Sequence, residues 1–469
     1  MRNFLSVGFV FLIFIYLVHA APATPGNSLQ NVKGTVNLKS RSIHDQIAKL
    51  ETASEITAEE SQTKPWSIMI YASLDAEDWL ERRMLKEITE IAGFGNCNGQ
   101  IHIVAQVDFL GSQTDRTTTR YYITKDALNV RCRENNINSN LNTGDPNNFQ
   151  SFLEWAASYP ANHKMLYIMG HGSGWIPSKG PGSIRGSQKS FGIDYTSQDS
   201  LTMAEVSAVF EQVLGGDKLD IIAFRACLMG QVEAAVQLSK YFNYMVASET
   251  KQVIAEPNTC DVFLDVSLDP FVFNILSNDP NSQPLKTAKA VYTSILTTNV
   301  KGNIANEDFE MSCLDLTKIR AVIPDMETLS DLLVNDMGTA DKSSIIAALT
   351  AARQKTHSFE GILGNESVDL GLFLSNLAAE LNQASLQDTQ LADQVRTIVD
   401  SCLNNIQDAT LDRSNPGNGK GTFSVSIFMP PDDATIRQFI NSLENIYGQL
   451  EFGRLTGWDK VIHKYLGLQ

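Results

Sequence analysis

Basic residues are scarce in this chain: 37 lysines and arginines stand against 53 acids, a formal net charge of −16. So acidic a polypeptide repels a phosphate backbone, which excludes nucleic-acid binding as a function class. Cysteine is sparse too. The six residues Cys97, Cys132, Cys227, Cys260, Cys313 and Cys402 form no C-x-x-C pair and no Cys/His cluster at zinc spacing. Beyond the N-terminus there is no apolar run of membrane-spanning length, no internal repeat and no low-complexity tract. Hydrophobic residues nonetheless make up 43% and charged residues only 19% of the 469, the balance of a folded chain. That length holds one large domain or two to three ordinary ones.

The N-terminus carries an address. Arg2 precedes an almost wholly apolar stretch, 4–17, and Val18 and Ala20 supply the small residues of a cleavage site before Ala21. Residues 1–20 read as a secretory signal peptide, with an uncleaved anchor as the competing reading. The expected location is secreted or periplasmic, with no membrane association once the signal is removed. Export permits disulfides, and proximity alone suggests Cys97 with Cys132. Residues 21–62 read as a linker or pro-segment, within which 43–61 has the spacing of one amphipathic helix, with Ser42 as its cap.

From residue 63 apolar runs alternate with helical periodicity. Residues 66–72, 101–108, 120–123, 164–169, 219–222 and 244–249 read as strands. Residues 79–91, 148–158, 203–214 and 231–242 read as helices, Thr202 capping the third. Such alternation implies an α/β fold with a mostly parallel sheet covered on both faces. The pattern divides the chain into a first domain over 63–265 and a C-terminal region, 266–469, that completes the fold. In the latter, 288–295, 345–353 and 369–381 read as helices and 311–316 and 421–431 as strands. His102 and His163 stand isolated, in the manner of surface or strand-edge residues.

Sheets of this kind place their sites at the carboxyl ends of the strands. Two junctions there carry chemistry. One strand ends at Gly170-His171-Gly172-Ser173-Gly174-Trp175, and the next at Ala226-Cys227-Leu228-Met229-Gly230. A thiolate attacks carbonyl carbon, and an imidazole can take its proton and return it to a leaving amine. The first turn of the following helix would favour the thiolate. The backbone N–H groups of Gly172 and Cys227 could bind the oxyanion.

These segments, with 66–72, Asn142-Thr143-Gly144-Asp145-Pro146 and Ala247-Ser248-Glu249, occur in the order found in the clostripain family of cysteine peptidases, which the chain resembles over roughly 63–460. The resemblance implies a caspase-like αβα sandwich with a C-terminal α/β extension. It makes His171 the catalytic histidine, Cys227 the nucleophile, and protein or peptide the substrate. The family cleaves after Arg or Lys, with an acidic residue two positions before the nucleophile in its S1 pocket. Here that residue is Arg225, which repels a cationic P1 side chain and suits an acidic one; the alternative is that Arg225 turns away to pair with a carboxylate and leaves a neutral pocket. Ser248 belongs to the S1 wall by the same resemblance, and Lys251 could add charge. Relatives self-cleave between histidine and cysteine. Lys179, Arg185 and Lys189 lie in that interval, with Asp194 and Asp199 as the sites compatible with acidic specificity. Relatives respond to calcium, but no dedicated calcium loop is visible, and the reading calls for no cofactor or metal. Three alternatives stay open: a peptidase keeping the Arg/Lys preference, an inactive relative that binds peptides, and a transpeptidase. Oligomeric state is unknown from sequence.

Overall fold

The computed structural model describes residues 38–110, 117–133, 141–176, 190–252, 272–302, 309–361, 363–414, 423 and 425–468. Residues 1–20, read as a signal peptide, together with Cys260 and the basic residues of 177–189, lie outside them. In chain order the strands are β1 (Glu51–Ala53), β2 (Lys64–Ser73), β3 (Ile101–Asp108), β4 (Thr119–Thr124), β5 (Ala127–Arg133), β6 (Ala161–Met169), β7 (Phe191–Asp194), β8 (Asp199–Leu201), β9 (Leu219–Arg225), β10 (Phe242–Ser248), β11 (Met311–Asp315), β12 (Ser358–Phe359), β13 (Ser367–Asp369), β14 (Thr410–Arg413) and β15 (Ser426–Phe428). Ten of them form one sheet in the order β1-β5-β4-β3-β2-β6-β9-β10-β11-β14. The central five, β3-β2-β6-β9-β10, are mutually parallel. Antiparallel pairs extend the sheet on both sides, through β4 and β5 and through β11 and β14. The fold is therefore α/β with a large, mostly parallel central sheet, and the C-terminal region supplies strands to that same sheet.

The central strands read as nearly continuous apolar runs because both faces are covered. Along β9, Ile221 and Ala223 face one core, while Ile222 and Phe224 face the other. The first core takes in α2 (Asp78–Phe94), through Leu80, Met84, Ile88 and Ile91. The second takes in α3 (Pro146–Ala157) and α4 (Met203–Leu214), through Phe149, Phe152, Val206 and Phe210. Capping fixes where these helices start. Asp145 accepts from the Asn147 N–H ahead of α3, and Thr202 with Glu205 forms a reciprocal capping box on α4.

Residues 38–62 do not form one helix over 43–61. Helix α1 (Leu38–Leu50) stops where β1 begins to pair with β5. Ile43 and Ile47 are buried in the core shared with α2, each contributing about 1.5–3 kcal/mol. A bidentate ion pair from Arg131 on β5 to Glu60, 2.8 Å to each oxygen, closes the segment.

The proposed disulfide between Cys97 and Cys132 is not formed; all five described cysteines are free. Cys97 is buried in the turn after α2, where its Sγ accepts from the Ser277 hydroxyl, whereas Cys132 is exposed on β5. His102 is not a surface residue either. It is fully buried on β3, its Nδ1 3.0 Å from the Tyr122 hydroxyl and its Nε2 3.0 Å from the Gln62 carbonyl.

Candidate active site

His171 and Cys227 leave adjacent parallel strands at matching height. Met169 of β6 and Arg225 of β9 are register partners, and each candidate follows its partner by two residues. The Gly170 N–H donates to the Arg225 carbonyl at 3.2 Å, which carries the pairing one step past the strand ends. Gly172 then passes against Cys227 so closely that a Cβ on it would lie 2.5 Å from the Cys227 carbonyl oxygen and 3.1 Å from its nitrogen. Only glycine permits that approach. Among the described residues neither the Gly172 nor the Cys227 N–H donates to a neighbouring residue. Both expected oxyanion donors thus lie close together, the Cys227 N–H also facing its own thiol.

The histidine has a partner that the sequence reading missed. The carboxylate of Glu77, in the turn after β2, lies 2.6 Å from His171 Nε2 and accepts the Tyr195 hydroxyl at 2.8 Å. A carboxylate is an acceptor, so Nε2 carries a proton, and whenever the ring is neutral the lone pair sits on Nδ1. Tyr195 also stacks on the imidazole, and Trp79 meets it edge-on. Burial pushes the Glu77 carboxyl up, but the hydrogen bond and charge of His171, with the Tyr195 bond, outweigh it and hold it below its ordinary value. Nothing local singles out Glu77 among Asp75, Asp78 and Glu81; its one signal is its position at the carboxyl end of a central strand.

Cys227 sits ahead of the helix that follows it, near its first turn and not within it. A four-residue turn separates it from α5 (Val232–Leu238), and Leu228 in that turn holds φ at +62°. A buried leucine in the left-handed region is strained, and its N–H is pinned to the Thr250 carbonyl at 3.1 Å. The thiol is met instead by the Gln252 N–H, 3.2 Å from Sγ. Burial raises the Cys227 thiol, while that N–H and the charges of Arg225 and Lys251 draw it back. The two loops are tied behind the site, where Gln231 Oε1 accepts the Trp175 N–H at 3.0 Å.

Arg225 faces a carboxylate. It is 3% exposed; its Nη1 donates to Gln252 Oε1 at 2.6 Å, and its Nε lies 3.6 Å from the Glu87 carboxylate on α2. Ser248 is buried, its hydroxyl engaged by the backbone of Thr250 and Glu310. Lys251 is half exposed and pairs with Glu360 at 2.9 Å. Asp194 is buried at the end of β7, accepting from the Thr143 and Ser197 N–H groups; burial, reinforced by Asp75, pushes its carboxyl up to about 6. Asp199 accepts from the Asn142 amide at 2.9 Å.

Among the described residues, two buried clusters could hold a cation: Asp75, Asp108 and Asp194, and Glu249, Glu310 and Asp369. Within each, a carboxylate oxygen from every member lies within 4.8 Å of the others. Sets made of carboxylates alone fit a hard ion such as calcium. Asp75 and Asp194 flank the residues that reach His171, since the Tyr195 N–H donates to the Asp75 carbonyl.

Known proteins match this chain over most of its length. The model of the clostripain family covers residues 72–465. Clostripain of Hathewaya histolytica is 22% identical over 88% of both chains. A secreted C11 cysteine protease from Bacteroides thetaiotaomicron, solved with an irreversible peptide inhibitor, shares the fold at a TM-score of 0.53 and 16% identity, over 84% of this chain and 99% of that one. An inactive zymogen C11 protease from Parabacteroides distasonis does so at 0.52 and 14%, with the same coverage. A family match over most of the chain, on a sheet that brings a cysteine and a histidine to neighbouring strand ends, identifies the chain as a cysteine peptidase and a member of the clostripain family.

Proposed function

We propose that the chain is a secreted cysteine endopeptidase in which Cys227 and His171 form the catalytic dyad. Nδ1 of His171 takes the thiol proton and the thiolate attacks the scissile carbonyl. The N–H groups of Gly172 and Cys227 bind the oxyanion, and the imidazolium returns its proton to the departing amine. Water, deprotonated by the same nitrogen, then releases the acyl group. Glu77 keeps the histidine in the required tautomer throughout. The observation that carries this reading is the Glu77–His171 hydrogen bond, which engages Nε2 and leaves Nδ1 as the nitrogen available to Cys227, whose strand is in register with that of His171. Fluorogenic peptide hydrolysis by the mature protein beside Cys227→Ala and His171→Ala tests it: loss of cleavage in both is expected, and survival in either refutes the dyad. Calcium, if added, would be held by Asp75, Asp108 and Asp194 and would brace the turn carrying Glu77; no step of the reaction runs through it.

The placement of Arg225 favours the Arg/Lys reading of specificity over the acidic one. Its guanidinium is engaged by Glu87 and Gln252, so the repulsion that would invert the pocket is withheld from P1. A panel with Asp, Glu, Lys and Arg at P1 decides between them; faster cleavage after Asp or Glu restores the inverted pocket. Secretion rests on residues 1–20, and N-terminal sequencing of exported protein should begin at Ala21 or further in.

A further inference from the structure

We propose that Arg225 and Gln252 are positioning residues for the nucleophile: Arg225, anchored on Glu87, fixes the Gln252 side chain, and this holds the Gln252 N–H against Cys227 Sγ as a thiolate donor. The inference rests on Cys227 being the nucleophile.

The contacts form one unbroken chain. Tyr167 donates its hydroxyl to Glu87 Oε1 at 2.7 Å, deep under the sheet. Glu87, fully buried, faces Arg225, and Arg225 donates to Gln252 Oε1. The other end of the same amide donates to two carbonyls of the nucleophile strand, Phe224 at 2.9 Å and Ala226 at 3.1 Å. The amide orientation is dictated by its partners, since a guanidinium only donates and a carbonyl only accepts. Gln252 is thereby bound to both residues that flank Arg225, and its own N–H arrives 3.2 Å from Sγ. Upstream, the Thr250 carbonyl holds the Leu228 N–H, and the Glu249 N–H donates to Glu310. Residues 249–252 are thus tied down on both sides of the cysteine.

An N–H aimed at sulfur stabilises the anion more than the thiol, so the contact favours ionisation. The charged groups acting on Sγ are Arg225 on β9 and Lys251 on the segment from β10, with His171 at the neighbouring strand end; Glu87 stands behind Arg225 and Glu77 behind His171. Burial opposes the thiolate, so these donors and cations decide how much of it forms near neutral pH. A guanidinium so enclosed could read a P1 carboxylate only by leaving both Glu87 and Gln252, stranding a buried charge.

The test is the pH dependence of Cys227 alkylation by iodoacetamide in the full mature chain, followed by mass spectrometry of the Cys227 peptide, together with kcat/KM for Lys- and Asp-P1 peptides. Gln252→Ala and Arg225→Met should each move the alkylation inflection up by about one pH unit. Alkylation on the acid side then slows about tenfold, with the limiting rate at high pH nearly unchanged. Arg225→Lys, which keeps a charge and a donor, should recover much of the shift. Circular dichroism checks folding; where Arg225→Met fails to fold because Glu87 is stranded, the double variant Glu87→Gln/Arg225→Met takes its place. An inflection unmoved by the substitutions overturns the proposal. So does faster alkylation, which would make the segment a block, and so does a loss confined to Asp-P1 substrates, which would make Arg225 a substrate reader. Undiminished hydrolysis by Cys227→Ala would instead overturn the dyad on which the inference stands.

Discussion

Gly172→Ala is the sharpest single test of how the two strand ends work together. Ordinary contact to a Cβ begins near 3.4 Å, and the new methyl would stand 2.5 Å from the Cys227 carbonyl oxygen and 2.9 Å from the Ala226 Cβ. The turn after β9 must therefore retreat by about 0.9 Å, or the His171 turn must lift by as much. Neither is free to do so, because Gln231 holds the Trp175 N–H and Arg225 holds the Gly170 N–H. A displacement of about 1 Å at reacting groups costs on the order of 10² in rate, and a misplaced oxyanion donor about 10² to 10³. Strain in a packed site also costs roughly 1–3 kcal/mol of stability. The expected outcome is a fall in kcat/KM of at least about 10², with a melting temperature lower by a few degrees. Iodoacetamide, which needs no oxyanion hole, should still label Cys227 within about tenfold of the wild-type rate. Wild-type kcat/KM in a normally folded Gly172→Ala would refute both the close approach and the assignment of these two N–H groups.

Glu77→Gln leaves an acceptor for Nε2 but removes the charge and lets Tyr195 compete for it; kcat should fall roughly tenfold to a hundredfold, and an unchanged pH–rate profile would count against the orienting role. Glu233, buried in the first turn of α5, accepts from the Phe428 N–H and the Tyr447 hydroxyl, and burial raises its carboxyl from 4.5 to about 7. A carboxyl raised on folding favours the folded state while protonated. Its contribution is thus full below about pH 4.5, falls as pH rises and levels off above about pH 7, a loss of about 3 kcal/mol. Urea titrations should show that decline in the wild type and its absence in Glu233→Gln; parallel curves would refute it. Ile47→Ala should lower stability by about 2–5 kcal/mol, whereas a residue in a mere linker would change nothing.

What could be read in the sequence followed from burial on two faces. β2, β3, β6 and β9 declare themselves as apolar runs because helices cover both sides, and the glycines around His171 mark a strand end. β1 and β5 lie at one side of the sheet, where polar residues such as Asn129, Arg131 and Arg133 blur the alternation. The helix Leu391–Ala409 lacks a side-chain cap, so no start signal announces it. The two residues of the proposed dyad stood out in the sequence because each belongs to its own local pattern. Glu77 did not, since its partner lies 94 residues away and only the β2–β6 pairing brings them together. The orientation of Arg225 likewise depended on Glu87, a helix residue that no strand pattern points to.

The parallel arrangement of β2, β6 and β9 has a consequence in time. Parallel neighbours cannot be closed by a hairpin; each pair waits for an intervening crossover to be synthesised and packed. Glu77, His171 and Cys227 hang from three such strands, so no partly folded fragment short of the central sheet aligns them. An unfolded chain carries the thiol and the imidazole but no hydrolytic competence. Latency during synthesis is thus a property of the topology itself, present before any inhibitory segment or processing event is considered.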